Sequence, residues 1–189
     1  MKLKKLTPFW LAVIYYWYLF WDFPPMERRP LRAMHRLGRQ GRYSAYIMSD
    51  ESGNTAAYAA AAKGPDGSFL LDYLAVCRGQ RGIGKGTQML ELLLKEFSGK
   101  PVFVEIEDPD AVKAIAEKEQ RLRRLRFYRR CSFRETGIRC SVYGVRYRIL
   151  LSDENMSDEK AYLRLDALYR AIFSKSAYDT QVRFLSKID

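Results

Sequence analysis

Histidine is almost missing from this 189-residue chain: His35 is the only one. One imidazole excludes a histidine-based metal cluster and speaks against a Ser-His-Asp hydrolase, and His35 reads as a surface residue of a basic helix. Cysteine is scarce as well. Cys77, Cys131 and Cys140 are odd in number and lack C-x-x-C spacing. That speaks against a disulfide framework and a zinc site, and the expectation is a reduced, cytoplasmic protein that binds no metal. Acids are in deficit, 22 against 33 Lys and Arg, for a formal net charge of +11. Internal repeats and low-complexity tracts are absent. So is a run long enough to span a bilayer: Phe9 to Trp21 is thirteen apolar or aromatic residues, where about 20 are needed. Lys2, Lys4 and Lys5 before it imitate a signal peptide, but no small-residue cleavage site follows. The run is read as a buried helix with Pro8 in its first turn, and no membrane partner is expected.

The positive charge is concentrated. Residues 28–42 hold six arginines and no acid, and residues 118–148 hold eleven Lys or Arg against Glu119 and Glu135. Such stripes can meet nucleic acid, but no nucleic-acid motif interleaves them, and solvated helix faces account for most of them.

The most informative segment is Arg78-Gly79-Gln80-Arg81-Gly82-Ile83-Gly84-Lys85-Gly86. It lies between a strand-like run, Phe69 to Val76, and a helix-like run from Thr87 to Leu94. A strand, a glycine turn and a helix start together form an anion cradle, because backbone N–H groups converge where no side chain intrudes and the helix N-terminus adds partial positive charge. Gly79 to Lys85 fits most of a nucleotide-triphosphate loop, but Gly86 stands where that loop needs Ser or Thr for magnesium. Gly82, Gly84 and Gly86 give G-x-G-x-G and miss the dinucleotide fingerprint. Arg81 to Gly86 fits R/Q-x-x-G-x-G/A at every position.

That arrangement resembles the pyrophosphate loop of the GNAT superfamily of acyl-CoA-dependent N-acyltransferases. Arg126-Phe127-Tyr128-Arg129-Arg130-Cys131-Ser132-Phe133 resembles the FYxxxGF signature that ends the fourth helix of these enzymes, with Ser132 in place of glycine. Leu71 to Val76 resembles their fourth strand. The matches lie in family order over residues 68–150. The resemblance implies a mixed α/β fold, a mostly antiparallel sheet whose fourth and fifth strands splay apart, with a C-terminal helix added. It implies one domain: residues 1–67 on the acceptor side, 68–151 binding acetyl-CoA, and 152–189 as a helical extension.

It also implies the chemistry. Backbone groups of Leu74, Ala75 and Val76 would hold the pantetheine arm, and Arg81, Gly82, Ile83, Gly84, Lys85 and Gly86 the pyrophosphate. The Leu74 amide would face the thioester carbonyl as an oxyanion donor, and Tyr128 would assist the leaving thiolate. A phenol near pKa 10 gives its proton to a thiolate near 8.5 only uphill, by roughly 2 kcal/mol, so hydrogen-bond donation or a pKa lowered by Arg126 and Arg129 is the easier role. Asp72 and either Glu105 or Glu107 are the candidate bases, Glu105 and Glu107 sharing one strand face. Each of these side chains also has a plain structural reading, as an exposed carboxylate or a core tyrosine. The expected function is N-acetyl transfer from acetyl-CoA to a primary amine by direct attack, with a homodimer allowed and nucleic acid disfavoured. A non-catalytic acyl-CoA-binding module is the alternative.

Periodicity sets the remaining elements. Residues 1–7 suit a strand, 8–21 a helix and 31–40 a short basic helix. Strands at 43–48 and 55–62 flank a hairpin at 50–54. A strand at 68–77, a helix at 84–97 and a strand at 102–106 follow. A helical phase from Ala111 runs into 126–131, strands lie at 133–138 and 143–151, and a helix carries Tyr162, Leu165, Leu168, Tyr169, Ile172 and Phe173.

Overall fold

Alanine dominates the strand at the centre of the first unit. In the computed structural model, which describes residues 1–185, β3 (Thr55–Lys63) buries Ala56 to Ala62 without interruption, including Tyr58. Alanine is a poor strand former. It persists here because both faces are covered and only small side chains fit beneath packed helices. The described residues form two compact units, Met1–Lys63 with Leu71–Lys100, and Gly64–Leu70 with Pro101 onward.

In the first unit β1 (Lys2–Lys5) pairs antiparallel with β2 (Tyr43–Ser49), and β2 with β3, from Tyr43 opposite Ala62 to Met48 opposite Ala57. β4 (Phe69–Val76) is the next strand beyond β3. Helix α4 (Lys85–Glu96) buries Met89, Leu90 and Leu93, with Phe97 edge-on to Tyr46 just past its end. These are core residues of the face expected from the sequence, with Leu94 half-buried at its margin.

The aromatic run folds as one helical segment with an irregular middle. α1 (Pro8–Ile14) passes into a π-helical turn, Tyr15–Leu19, and then α2 (Phe20–Asp22). The Phe20 N–H bonds to Tyr15 O, five residues back. This wider turn brings Leu19 back over the buried line of Leu11 and Ile14, which an α-helix would have rotated away. Helix α3 (Leu31–Arg39) packs on α1 and β2 through Met34 and Leu37.

In the second unit the start of β4 lies beside the next segment, Phe69 N–H donating to Pro101 O. β5 (Val102–Glu107), β7 (Val145–Leu151) and β6 (Arg134–Val142) follow in antiparallel order, and β8 (Val182–Phe184) closes the edge on β6. The β6–β7 turn holds Tyr143 at φ 50° and Gly144 at φ 82°, the double left-handed pair of a type I′ hairpin. It lets β6 run on past its expected end at 138, while β7 starts two residues later than expected. Helix α5 (Ile115–Arg130) starts later than the phase from Ala111, because Pro109–Ala111 forms a separate 3₁₀ turn capped by Asp108. The C-terminal helix is two: α6 (Asp158–Ile172), N-capped by Ser157, and α7 (Lys175–Gln181), N-capped by Ser174.

Candidate functional site

The glycine loop leaves β4 after Cys77, whose N–H makes a last sheet bond to Ala56 O, 2.9 Å. Gly79, Gly82 and Gly84 then take φ values of 81°, 84° and 79°, the left-handed region that only glycine enters freely. A Cβ at any of the three would meet nothing within 4 Å. The requirement there is backbone conformation, and the space beside the loop is open. Gly84 is the N-cap of α4, and no side chain caps that helix, nor is there an acid in its first turn. The first bond inside the helix is Gln88 N–H to Gly84 O. The partial positive end of α4 is therefore uncompensated by any carboxylate of its own first turn. Arg81 to Gly84 are exposed, with Lys85 and Gly86 half-buried behind them.

Arg81 does not simply point to water. Its Nε donates to Val76 O at 3.0 Å and its terminal nitrogen to Asp22 Oδ1 at 3.2 Å. Asp22 in turn accepts from the Tyr58 hydroxyl at 2.8 Å. The last residue of the aromatic helix thus ties the loop to β3 through Tyr58, while Arg81 itself reaches the end of β4. Sequence reasoning missed Asp22, although it is the only acid before Glu27. Leu74, Ala75 and Val76, at the end of β4, are half-buried.

Asp72 is engaged. Arg29 grips it with Nε on Oδ2 at 2.7 Å and a terminal nitrogen on Oδ1 at 3.1 Å, and the Tyr43 hydroxyl donates to Oδ2 at 2.8 Å. Side-chain exposure is 11% for Arg29 and 8% for Asp72. Burial works against the Arg29 charge, but the adjacent carboxylate more than reverses that and holds the guanidinium above its usual range. Burial and the same carboxylate push the Tyr43 phenol well up. Arg29 N–H donates to the Tyr73 hydroxyl at 2.6 Å, which donates to Glu27 O at 2.9 Å. Together these bonds pin residues 27–29 to β4.

The remaining expected residues lie in the second unit. Glu105, half-buried on β5, accepts from the Tyr169 hydroxyl, which also lies 3.5 Å from Cys140 Sγ. Glu107 is buried and bonded to Arg124 at 2.7 Å. Tyr128 is buried on α5, edge-on to Phe127 and Phe133. Burial raises its pKa, and nearby Arg124 only partly offsets this. Of the two roles considered for Tyr128, the one that needed a pKa lowered by Arg126 and Arg129 is therefore corrected: those arginines pair with Glu119 and Glu135 instead. Ser132 sits at φ 61°, in the left-handed region that favours glycine. The N–H groups of Ser132 and Phe133 close the helix on Arg129 O and Tyr128 O, a Schellman end. Among the described residues no cluster of His, Cys, Asp and Glu is arranged to hold a metal.

No protein-family model matches the chain, and no curated protein matches it in sequence. Solved structures do. A protein of Bacteroides thetaiotaomicron described as a GNAT-family acetyltransferase superposes with a TM-score of 0.72 at 20% identity, over 91% of this chain and 98% of that one. The ribosomal-protein-S18-alanine N-acetyltransferase of Escherichia coli gives 0.56 at 18% identity, over 82% and 97%. A dodecameric spermidine N-acetyltransferase of Vibrio cholerae gives 0.57 at 9% identity, over 85% and 95%. With an open glycine loop between β4 and α4, the chain has the mixed α/β fold of the GNAT acyltransferase superfamily.

Proposed function

We propose that the chain is an acyl-CoA-dependent N-acyltransferase acting on a primary amine by direct transfer, with acetyl-CoA as the donor. The observation that carries this reading is the exposed, uncapped start of α4 behind three left-handed glycines, which fits a pyrophosphate. Arg81, Gly82, Ile83, Gly84, Lys85 and Gly86 would hold that group, and backbone groups of Leu74, Ala75 and Val76 the arm. Val76 O already accepts from Arg81, so its N–H is the group left for that role. The donor supplies an acyl group activated as a thioester. Leu74 N–H would steady the carbonyl oxygen, and Tyr128, kept protonated by burial, would donate a hydrogen bond to the departing sulfur. Burial raises the Cys77 thiol, which argues against a covalent relay through it.

Both Asp72 and Glu105 already hold partners. Carboxylates so engaged suit an amine that is easily deprotonated. At pH 7 a lysine-like amine costs about 4.6 kcal/mol to neutralise, and an α-amine only about 1 kcal/mol. We therefore favour a peptide α-amine over a polyamine, whose charge the +11 chain also repels. The same engagement of the two carboxylates favours, as a second reading, a binding module without an effective base.

Calorimetry with acetyl-CoA, followed by thiol release with a peptide bearing an N-terminal alanine and with spermidine, separates these readings. Binding with faster release on the peptide is expected; binding without release on any amine leaves the module, and no binding ends both. Gly84→Val, forced into a left-handed cap, should weaken donor binding tenfold or more at unchanged fold by circular dichroism. Tyr128→Phe should cut turnover by about 10²-fold with donor affinity little changed.

A further inference from the structure

The helical segment Pro8–Asp22 turns an aromatic face outward. Phe9, Trp10, Tyr16, Trp17, Phe20 and Trp21 are all exposed, Trp17 by 74% and Phe9 and Trp21 by 71% each. Leu11, Ile14 and Leu19 are buried on the other side, so the segment is packed and the aromatic face is surplus to its core. Scattered surface apolar residues are ordinary, but six large aromatics on one helical segment are a patch that calls for a partner.

The rim of the patch is cationic. The Arg28 guanidinium lies over the Phe20 ring, 4.3 Å from its centroid. α1 packs on α3, whose Arg32, Arg36 and Arg39 are exposed, and Lys2, Lys4 and Lys5 precede the helix, exposed as well. Among the described residues none of these seven cations forms an ion pair. Asp22, the acid at the end of the segment, is taken by Arg81 and Tyr58.

We propose that this face rests on an anionic lipid surface, with the segment lying in the headgroup plane. Tryptophan and tyrosine partition to that layer, and a basic rim matches its negative potential. No helix among the described residues is long and apolar enough to cross a membrane, so the geometry is one of lying on the surface. A second copy of the chain fits less well, because a two-fold contact would press the same cationic rim against itself. The proposal departs from the expectation of no membrane partner, and it does not depend on the acyltransferase reading.

The chain carries its own reporter: Trp10, Trp17 and Trp21 are its only tryptophans and all lie on this face. The full protein is titrated with phosphatidylcholine vesicles, with and without phosphatidylglycerol. With the anionic vesicles, emission should shift to the blue and become shielded from acrylamide, and both effects should fade with added salt. Co-sedimentation of Arg32→Gln and Arg36→Gln should show affinity reduced by roughly fivefold per charge. The double variant Trp17→Ser, Trp21→Ser should lose vesicle binding at an unchanged unfolding midpoint. Three results overturn the proposal: no blue shift on anionic vesicles at low salt, an equal shift on neutral ones, or a shift that follows protein concentration without vesicles and coincides with a dimer in sedimentation.

Discussion

Two arginine-rich stretches that look alike in sequence have opposite fates in the fold. In the second unit the positive charge is laced to carboxylates. Arg121 and Arg124 share Glu107; Arg129, Arg139 and Arg148 share Glu135; Arg148 also reaches Asp108 and Asp110. In the first unit Arg29 alone of the six arginines at 28–42 is in an ion pair among the described residues, and that pair is buried. Charge density along a sequence therefore does not foretell an electropositive surface. What decides is where the fold puts the acids, and it puts them opposite residues 118–148.

The largest test of this contrast is Asp72→Asn. It leaves Arg29 buried beside a neutral amide, and should cost about 3–5 kcal/mol in urea unfolding, because the stranded charge, not the lost pair, dominates. A loss below about 1 kcal/mol would place the clamp among ordinary surface pairs and dissolve the distinction. A backbone effect in the second unit comes next. Ser132→Gly should stabilise by about 1 kcal/mol by relieving the left-handed cap, against the small entropic cost of glycine in the unfolded chain. Smallest is a half-exposed pair of the laced surface, Arg134 with Asp158, at 24% and 31% side-chain exposure. Burial raises the Asp158 pKa, but the Gly137 N–H and Arg134 outweigh it and hold the carboxyl below its usual range. The stabilisation is thus complete above the unfolded value near 3.9 and is lost as pH falls through the lower folded one. Asp158→Asn should cost at most about 1 kcal/mol at pH 7, discounted for solvent screening. Mutant and parent should converge as the medium is acidified below the usual carboxylate range.

Much of the fold was legible because its signals are local. The glycine spacing of Arg81 to Gly86 dictates a loop, and the apolar period of Met89, Leu90 and Leu93 dictates the helix after it. Ser132 in a glycine position announced the strained turn at φ 61°. What escaped is non-local. The Arg29–Asp72 clamp joins residues 43 apart, and the Asp22–Arg81 bond joins residues 59 apart; no periodicity encodes such pairings. The Tyr128 environment was misjudged for the same reason, since burial and the carboxylates opposite Arg126 and Arg129 are tertiary facts. β8 is too short for a pattern, and its pairing with β6 depends on where α7 delivers it.

The five-residue turn at Tyr15–Leu19 has a consequence at a distance. Each α-helical residue advances the chain by about 100°, so losing a single residue there would swing everything downstream around the axis. Asp22 would then swing out of line with Tyr58 and Arg81, and the guanidinium braced on Val76 O would lose its anchor. An irregularity near the start of the chain thereby sets the aim of a side chain in the glycine loop, and a one-residue insertion or deletion in the aromatic run would disturb that loop more than most substitutions within it.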